Sequence, residues 1–151
     1  MIRPALIKDV KIIQKALDHY AKQGLLLPRS LNDLYDNLRD FVVDDSENGI
    51  LGVSSLHVCW DDLGEIRSLA VLPPATKQGI GSRLVSACEA EARRLGLQRV
   101  FTLTYQENFF ARQGYQVTDK NLLPHKVWRD CLSCVKFPDC DEIAMIKTLQ
   151  V

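Results

Sequence analysis

The stretch EIRSLAVLPPATKQGIGSRL, residues Glu65 to Leu84, contains four structural signals in a fixed order. An apolar strand is followed by a proline-marked turn, a short Gly-x-Gly loop and the start of an amphipathic helix. Gly79 and Gly81 let backbone N–H groups approach an anion, and the helix adds its unpaired N-terminal donors and the positive end of its dipole. The stretch therefore predicts a diphosphate-binding loop, although Gly-x-Gly also occurs at ordinary strand-to-helix turns.

The rest of the chain reads as alternating strands and helices in the order β-α-α-β-β-β-α-β-α-β-β. Asn48-Gly49 predicts a tight hairpin between two strands, because both residues tolerate positive φ. The helices are predicted from apolar residues at helical spacing that end at a glycine, and the strands from runs of β-branched and aromatic residues. The strands start near Ile2, Phe41, Ile50, Glu65, Arg99, Tyr115 and Ile143, and the helices cover about 10–20, 30–38, 84–95 and 108–113. The central strand is predicted over 65–72, and the helix after it carries one apolar stripe, formed by Leu84, Val85, Cys88, Ala92 and Leu95. Ser30 and Asp33 form an approximate capping box for the second helix.

Composition favours one globular domain over residues 1–151, because this length supports a single core and is short for two. Lys plus Arg and Asp plus Glu both number 19, so no basic field indicates nucleic acid as a partner. No apolar segment is long enough for a signal peptide or a membrane span, which predicts a cytoplasmic protein. Five cysteines without a secretion signal argue against a simple disulfide framework.

The strand, the LPP turn, Gln-Gly-Ile-Gly and the helix together resemble the acetyl-coenzyme A (acetyl-CoA) site of the GNAT N-acetyltransferase family. That family's loop pattern is Q/R-x-x-G-x-G/A, and residues 76–81 occupy it, with Thr76 where Gln or Arg is usual and Lys77 beside it. The resemblance covers most of the chain. It implies an α/β (α+β) GNAT acyl-CoA N-acyltransferase fold, in which helices flank a mixed, mostly antiparallel sheet.

The resemblance also implies which residues bind acetyl-CoA. The backbone of the central strand runs beside the pantetheine arm and offers an N–H group to the thioester oxygen, where a fixed donor stabilises the developing oxyanion. The loop and the first helical turn hold the diphosphate. The residues assigned to the cofactor are Leu69, Ala70, Val71, Lys77, Gln78, Gly79, Ile80, Gly81, Ser82 and Phe110.

Two residues are predicted to be catalytic. Glu65 stands where many GNAT enzymes carry the general base, which an amine needs because it arrives largely as ammonium. The alternative is a strand-end glutamate that faces solvent or pairs with Arg67. Phe110 stands where the family usually has a tyrosine that protonates the departing thiolate, so Tyr105 is the candidate acid. Otherwise Tyr105 is a strand-end aromatic residue and the thiolate leaves unassisted.

The segment Leu27-Pro28-Arg29-Ser30-Leu31 resembles the acetyltransferase domain of N-acetylglutamate synthases, where an Arg-Ser pair precedes the helix over the substrate. A guanidinium matches a carboxylate bidentately, so Arg29 is predicted to bind the acceptor. The resemblance adds His57, Lys126 and Arg129 as further cations of the acceptor pocket. Alternatively, Arg29 is an exposed arginine at the start of the helix, Lys126 and Arg129 are solvated, and His57 is a histidine within a strand that binds no ligand.

A cysteine cluster near the C-terminus follows the pattern H-x5-C-x2-C-x5-C, formed by His125, Cys131, Cys134 and Cys140. Four such donors match a tetrahedral zinc site. The alternative is a loop with reduced cysteines that folds by packing around Trp128 and Phe137, because zinc sites usually have two pairs of ligands that are well separated in sequence. No metal site is therefore assigned.

These interpretations predict an enzyme that transfers the acetyl group of acetyl-CoA to the α-amine of glutamate or glutamine, as the entry step of arginine biosynthesis. The amine would attack directly in a ternary complex. One alternative is a GNAT acetyltransferase for another small amine, and another is a non-catalytic module that senses CoA or metal. The resemblance further implies a homodimer.

Overall fold

A computed structural model of the chain describes residues 1–73, 75, 79–123 and 142–149. Eleven strands and helices follow one another in the predicted order, and short 3₁₀ turns occur at Ile7–Asp9, Leu38–Asp40 and Lys120–Leu122. The strands are β1 (Ile2–Pro4), β2 (Phe41–Ser46), β3 (Gly49–Val58), β4 (Leu63–Val71), β5 (Arg99–Thr104), β6 (Gln116–Val117) and β7 (Ile143–Thr148). The helices are α1 (Val10–Ala21), α2 (Leu31–Asp36), α3 (Ile80–Leu95) and α4 (Glu107–Arg112).

The strands form one seven-stranded sheet in the order β1-β2-β3-β4-β5-β7-β6. β4 and β5 pair in parallel, whereas the pairs β1-β2, β2-β3, β5-β7 and β6-β7 are antiparallel. The hairpin at Asn48-Gly49 is present, with Ser46 opposite Gly49 and φ +99° at the glycine. The prediction of a mixed, mostly antiparallel sheet flanked by helices is confirmed.

The chain divides into two compact units. The first contains Met1–Leu56 and Ile66–Glu91, and the second contains His57–Glu65 and Ala92–Val151. β4 therefore contributes its first three residues to the second unit and the rest to the first. The predicted site residues of β4 are therefore divided: Glu65 belongs to the second unit, and residues 69–71 belong to the first.

The core of the first unit lies where one stripe of α1 packs with β2, β3 and β4. Helical spacing places Val10, Ile13 and Leu17 on that stripe, and each is at most 1% exposed. A neighbouring cluster joins Ala75, Ile80 and Leu84. In the second unit the core cluster contains Cys59, Leu63, Phe101, Leu123 and Ala144.

The predicted apolar stripe of α3 is correct for four of its five residues. Leu84, Val85, Cys88 and Ala92 are buried, whereas Leu95 is 47% exposed. Leu95 is the last residue of α3, and Gly96 reverses the chain directly after it with φ +89°. The stripe therefore ends one turn earlier than predicted.

β4 departs from regular strand geometry at Ser68. Its φ of +58° makes it the one residue other than glycine with positive φ in the described part of the chain. The carbonyl of Arg67, next to it, accepts a hydrogen bond from Ser55 Oγ at 3.0 Å. The left-handed conformation is costly for serine, so the surrounding contacts hold it in place. The continuous strand predicted over 65–72 thus begins earlier, at Leu63, and is irregular at Ser68.

The start of α3 packs closely on β3 at Gly52. A Cβ at this position would lie 2.9 Å from Leu84 Cδ1, 3.0 Å from Ile80 Cγ2 and 3.2 Å from the carbonyl oxygen of Ala70. Any side chain at this position would force the side chains of Leu84 and Ile80, or the backbone at Ala70, to shift. Gly52 therefore sets the position of the first turns of α3 over the sheet.

Gly52→Ala is expected to lower the free energy of unfolding by about 1–3 kcal/mol, because the new methyl group overpacks the contact with α3. Chemical denaturation followed by circular dichroism measures this change. Val58→Ala, at an exposed position of the same strand, is the control and should change stability by about 0.5 kcal/mol or less. Equal stability of the two variants would contradict the close-packing argument.

Candidate active site

The predicted phosphate-binding loop leads into α3 as expected. The carbonyl of Gly79 accepts the N–H of Arg83 at 3.1 Å, which makes Gly79 the N-terminal cap of the helix, and its φ of +75° favours glycine. Ile80 is 1% exposed and anchors the first turn in the core. Ile80, Gly81 and Ser82 follow Gly79 in the first turn, where N–H groups have no partner within the helix. Lys77 and Gln78 lie outside the described residues.

The backbone predicted to run beside pantetheine lies at the end of β4. Ala70 is 2% exposed and belongs to the main core cluster, whereas Leu69 and Val71 are half-buried and pack against the cluster around Ile80. The carbonyl of Val71 accepts a hydrogen bond from the Tyr20 hydroxyl of α1. Burial raises the pKa of Tyr20, so the hydroxyl stays protonated and continues to donate at neutral pH. The end of β4 is thus fixed by α1.

α1 is itself anchored at its start by a buried carboxylate. Arg3 of β1 donates to both oxygens of Asp9, at 2.7 and 3.1 Å, and the N–H of Leu6 donates to Asp9 at 2.7 Å. The hydrogen bond from Arg3 holds the pKa of Asp9 below its usual value. The helix that carries Tyr20 is therefore tied to the sheet at both ends.

Glu65 is buried, at 7% exposure, in the part of β4 that belongs to the second unit. It is paired in parallel register with Phe101 of β5, which is fully buried. The alternative of a solvent-facing glutamate is therefore wrong. Glu65 is therefore shielded from bulk water at the position predicted for the general base.

His57 precedes the turn between β3 and β4 and is half-buried. The N–H of Cys59 donates to the carbonyl of Leu63 at 2.9 Å and closes this turn. The turn joins the strand that carries His57 to the strand that carries Glu65, and both residues belong to the second unit.

Tyr105 and Phe110 occupy different environments in the second unit. Tyr105 directly follows the last residue of β5 and is half-buried. Phe110, on α4, is 3% exposed and makes edge-to-face contacts with Phe109 at 5.0 Å and with Tyr115 at 5.3 Å between ring centroids. Phe110 is therefore part of an aromatic cluster, which accounts for an apolar ring where a proton donor is usual.

Arg29 precedes α2 in the first unit, and its side chain is only 12% exposed. Its Nε donates to Asp33 Oδ2 at 2.6 Å, its Nη2 to Asp33 Oδ1 at 3.3 Å and its Nη1 to Ser68 Oγ at 3.2 Å. The guanidinium carbon lies 5.0 Å from the centroid of the Phe41 ring. The alternative of an exposed helix-entry arginine is wrong, because the guanidinium is held on three sides.

Two of these contacts were not predicted. Asp33 was interpreted as part of a capping box with Ser30, and Ser30 Oγ does accept the Asp33 N–H at 3.1 Å. The Asp33 carboxylate, however, contacts Arg29, and the i,i+4 spacing was the signal available for that ion pair. Ser68 carries no such signal, because a left-handed serine within a strand has no sequence pattern.

Several predicted residues lie outside the described residues, namely Lys126, Arg129, His125, Cys131, Cys134 and Cys140. Within the described ranges, no group of three His, Cys, Asp or Glu side chains is arranged to hold a metal ion. Cys59 and Cys88 are buried and not disulfide-bonded. Burial raises the pKa of the Cys88 thiol to about 12, which leaves almost no thiolate at neutral pH and excludes it as a nucleophile. No described helix is long and apolar enough to cross a membrane.

Residues 11–116 match the acetyltransferase (GNAT) family. An uncharacterized N-acetyltransferase of Chlorobaculum tepidum is 40% identical over 148 residues, which cover 98% of this chain and 96% of that protein. The chain therefore belongs to the acetyltransferase (GNAT) family. The predictions of family, fold and enzyme class are confirmed.

Two further similar proteins have names that specify an amino-acid substrate or product. An amino-acid acetyltransferase of Mycobacterium tuberculosis is 42% identical over 118 residues, covering 76% of this chain and 67% of that protein. The crystal structure of N-acetylglutamate synthase from Neisseria gonorrhoeae, complexed with coenzyme A and N-acetyl-glutamate, superposes with a TM-score of 0.92 at 28% identity. This chain is covered completely, but it spans only 35% of the synthase.

Tyr20→Phe should raise the KM for acetyl-CoA severalfold and lower the free energy of unfolding by about 1–2 kcal/mol, because the carbonyl of Val71 loses its hydroxyl donor. Steady-state kinetics and chemical denaturation measure the two effects. Tyr35→Phe, at an exposed position of α2, is the matched control and should change neither value. An unchanged KM in Tyr20→Phe would show that anchoring the end of β4 is irrelevant to acetyl-CoA.

Proposed function

We propose that this chain transfers the acetyl group of acetyl-CoA to the α-amine of an amino acid, with glutamate or glutamine as the acceptor. The observation that carries the acceptor class is the buried guanidinium of Arg29. A guanidinium has five N–H donors, and three of those on Arg29 donate to Asp33 and Ser68. Two donors have no partner among the residues that the structure describes, and a carboxylate is the ligand that fits two such donors best.

Acetyl-CoA would be bound mainly by the first unit. The first-turn N–H groups of α3 and the loop before it are suited to the diphosphate, because they present backbone donors at the positive end of a 16-residue helix. The backbone of residues 69–71 would run along pantetheine and donate to the thioester oxygen. Because the backbone performs this role, the side chain of Ala70 can be buried in the core without affecting it.

The chemical step needs a base, and Glu65 of the second unit is the candidate. It would remove a proton from the ammonium group of the acceptor, directly or through water, so that the free amine attacks the thioester carbon. The tetrahedral intermediate then collapses: the attacking nitrogen loses its second proton to water, the C–S bond breaks, and the CoA thiolate leaves. Tyr105 would protonate that thiolate, although a thiolate is also a leaving group that can depart unassisted. No covalent intermediate with the enzyme is required.

His57, Lys126 and Arg129 would supply further positive charge for a second carboxylate, as glutamate requires. Acetylation of glutamate would make this the entry step of arginine biosynthesis, in the cytoplasm. The family resemblance supports assembly of the chain as a homodimer.

A second candidate is a non-catalytic module that binds CoA or a metal and senses it. Two departures from the family pattern favour it: Thr76 replaces the usual Gln or Arg, and Phe110 cannot donate a proton. A related candidate is an acetyltransferase for a different small amine. Turnover with a panel of acceptors separates all three.

CoA release from acetyl-CoA is expected with glutamate or glutamine and not with amines that lack a carboxylate. Glu65→Gln should lower kcat by about 10²-fold or more, because the amine loses its base, and should leave the KM for acetyl-CoA within about twofold. Glu107→Gln, an exposed carboxylate of the same unit, is the control. Release with another amine only would discard the acceptor assignment, and acetyl-CoA binding without any release would favour the sensing module.

Arg29→Gln should raise the KM for the amino-acid acceptor by about 10- to 100-fold with little change in the KM for acetyl-CoA, because a charged bidentate contact is lost. Arg39→Gln, at an exposed position after α2, controls for the loss of one positive charge. If Arg29→Gln and Arg39→Gln show the same KM, Arg29 does not bind the acceptor.

A further inference from the structure

We infer that Asp33 is a positioning residue for the acceptor carboxylate, because it holds the guanidinium of Arg29 in one orientation through two hydrogen bonds. The inference rests on the proposed function, since it assumes that Arg29 receives the acceptor. From the sequence, Asp33 was predicted only to cap α2.

The contact geometry defines what Asp33 does. The two oxygens of its carboxylate accept from Nε and Nη2 of Arg29, at 2.6 and 3.3 Å. These nitrogens form the side edge of the guanidinium, so the plane and the direction of the group are both set by a bidentate pair. The two donors without a described partner are one on Nη1 and one on Nη2.

Two further groups complete the orientation. The guanidinium carbon lies over the ring of Phe41, 5.0 Å from its centroid, and Ser68 Oγ accepts from Nη1 at 3.2 Å. Phe41 is 1% exposed and cannot shift without disturbing the core. An arginine side chain has large rotational freedom, and these contacts remove it before an acceptor binds, which lowers the entropic cost of binding.

Asp33 is itself held in position. Its backbone N–H donates to Ser30 Oγ at 3.1 Å, and Asn37 Nδ2 donates to Asp33 Oδ1 at 2.8 Å. The hydrogen bond from Arg29 lowers the pKa of the Asp33 carboxyl, so it is ionised at neutral pH. Asp33 is partly exposed, at 41% of its side chain, whereas the side chain of Arg29 is 12% exposed, so the pair both satisfies a largely buried charge and fixes its orientation.

Asp33→Asn tests the inference, because it keeps the shape and one acceptor oxygen but removes the charge and the bidentate contact. The KM for the amino-acid acceptor should rise about five- to tenfold, while kcat and the KM for acetyl-CoA stay within about twofold. Asp33→Ala, which keeps no acceptor, should give a larger rise. Asp36→Asn removes an exposed carboxylate from the same helix and should match the unchanged protein.

A second readout does not depend on turnover. The Nε–H proton of Arg29 exchanges slowly while it is hydrogen-bonded, and ¹H–¹⁵N spectra detect it, with Arg29→Lys providing the assignment. The signal should be lost or shifted in Asp33→Asn and retained in Asp36→Asn. Thermal unfolding of each variant shows whether the fold is kept, since a purely structural role would lower Tm and raise the KM for both substrates together.

The outcomes separate the inference from the proposed function. If the unchanged protein turns over a carboxylate-bearing amine but Asp33→Asn has the same KM for it, the inference is wrong and the function stands. An unchanged Nε–H signal in Asp33→Asn also overturns it. If the unchanged protein turns over no such amine, the proposed function fails, and the positioning role fails with it even where the Nε–H signal is lost.

Discussion

The left-handed turn of β4 at Ser68 is the constraint on which the candidate site in the first unit depends. It breaks the regular alternation of the strand, so that the carbonyl of Arg67 is bound by a hydroxyl of β3 and the hydroxyl of Ser68 reaches Arg29. A serine at φ +58° is unfavourable by roughly 1–3 kcal/mol on general grounds and persists only where neighbouring contacts determine it. Both ends of the distortion have such contacts, and the strain is found beside the residue proposed to bind the acceptor.

The low exposure of the Arg29 guanidinium explains why it has several partners within the protein. A guanidinium that is 12% exposed needs partners, and Arg29 obtains them from one carboxylate, one hydroxyl and one aromatic face. These partners neutralise the charge without using every donor. The same arrangement therefore satisfies the folded protein and leaves hydrogen-bonding capacity for a ligand, which an exposed and mobile arginine would offer only at a larger entropic cost.

The elements of the fold were predictable because local chemistry determines them. Asn48-Gly49 gives a hairpin, the apolar stripe of α1 gives a helix packed on a sheet, and Gly79 supplies the positive φ before α3. The family resemblance of the Gly-x-Gly loop then gave the sheet type and the enzyme class. The prediction for Leu95 was wrong in its exposure, because Leu95 is exposed at the end of its stripe. For Glu65 the alternative of a solvent-facing side chain was wrong, because the residue is buried. Exposure depends on what covers a residue, and sequence spacing does not specify that.

The sequence by itself determined the order of the elements, the hairpin, the loop that precedes α3 and the arginine before α2, because each follows from residue types at short spacing. Only the tertiary structure decided that Ser68 turns left-handed, that Asp33 binds Arg29 rather than only capping α2, and that Tyr20 holds the end of β4. Tyr20 and Ser68 are brought to their partners by the packing of α1 and α2 against the sheet, across 51 and 39 residues of chain. Asp33 lies close to Arg29 in sequence, but its carboxylate could equally have completed the cap, and the buried position of the guanidinium selected the ion pair.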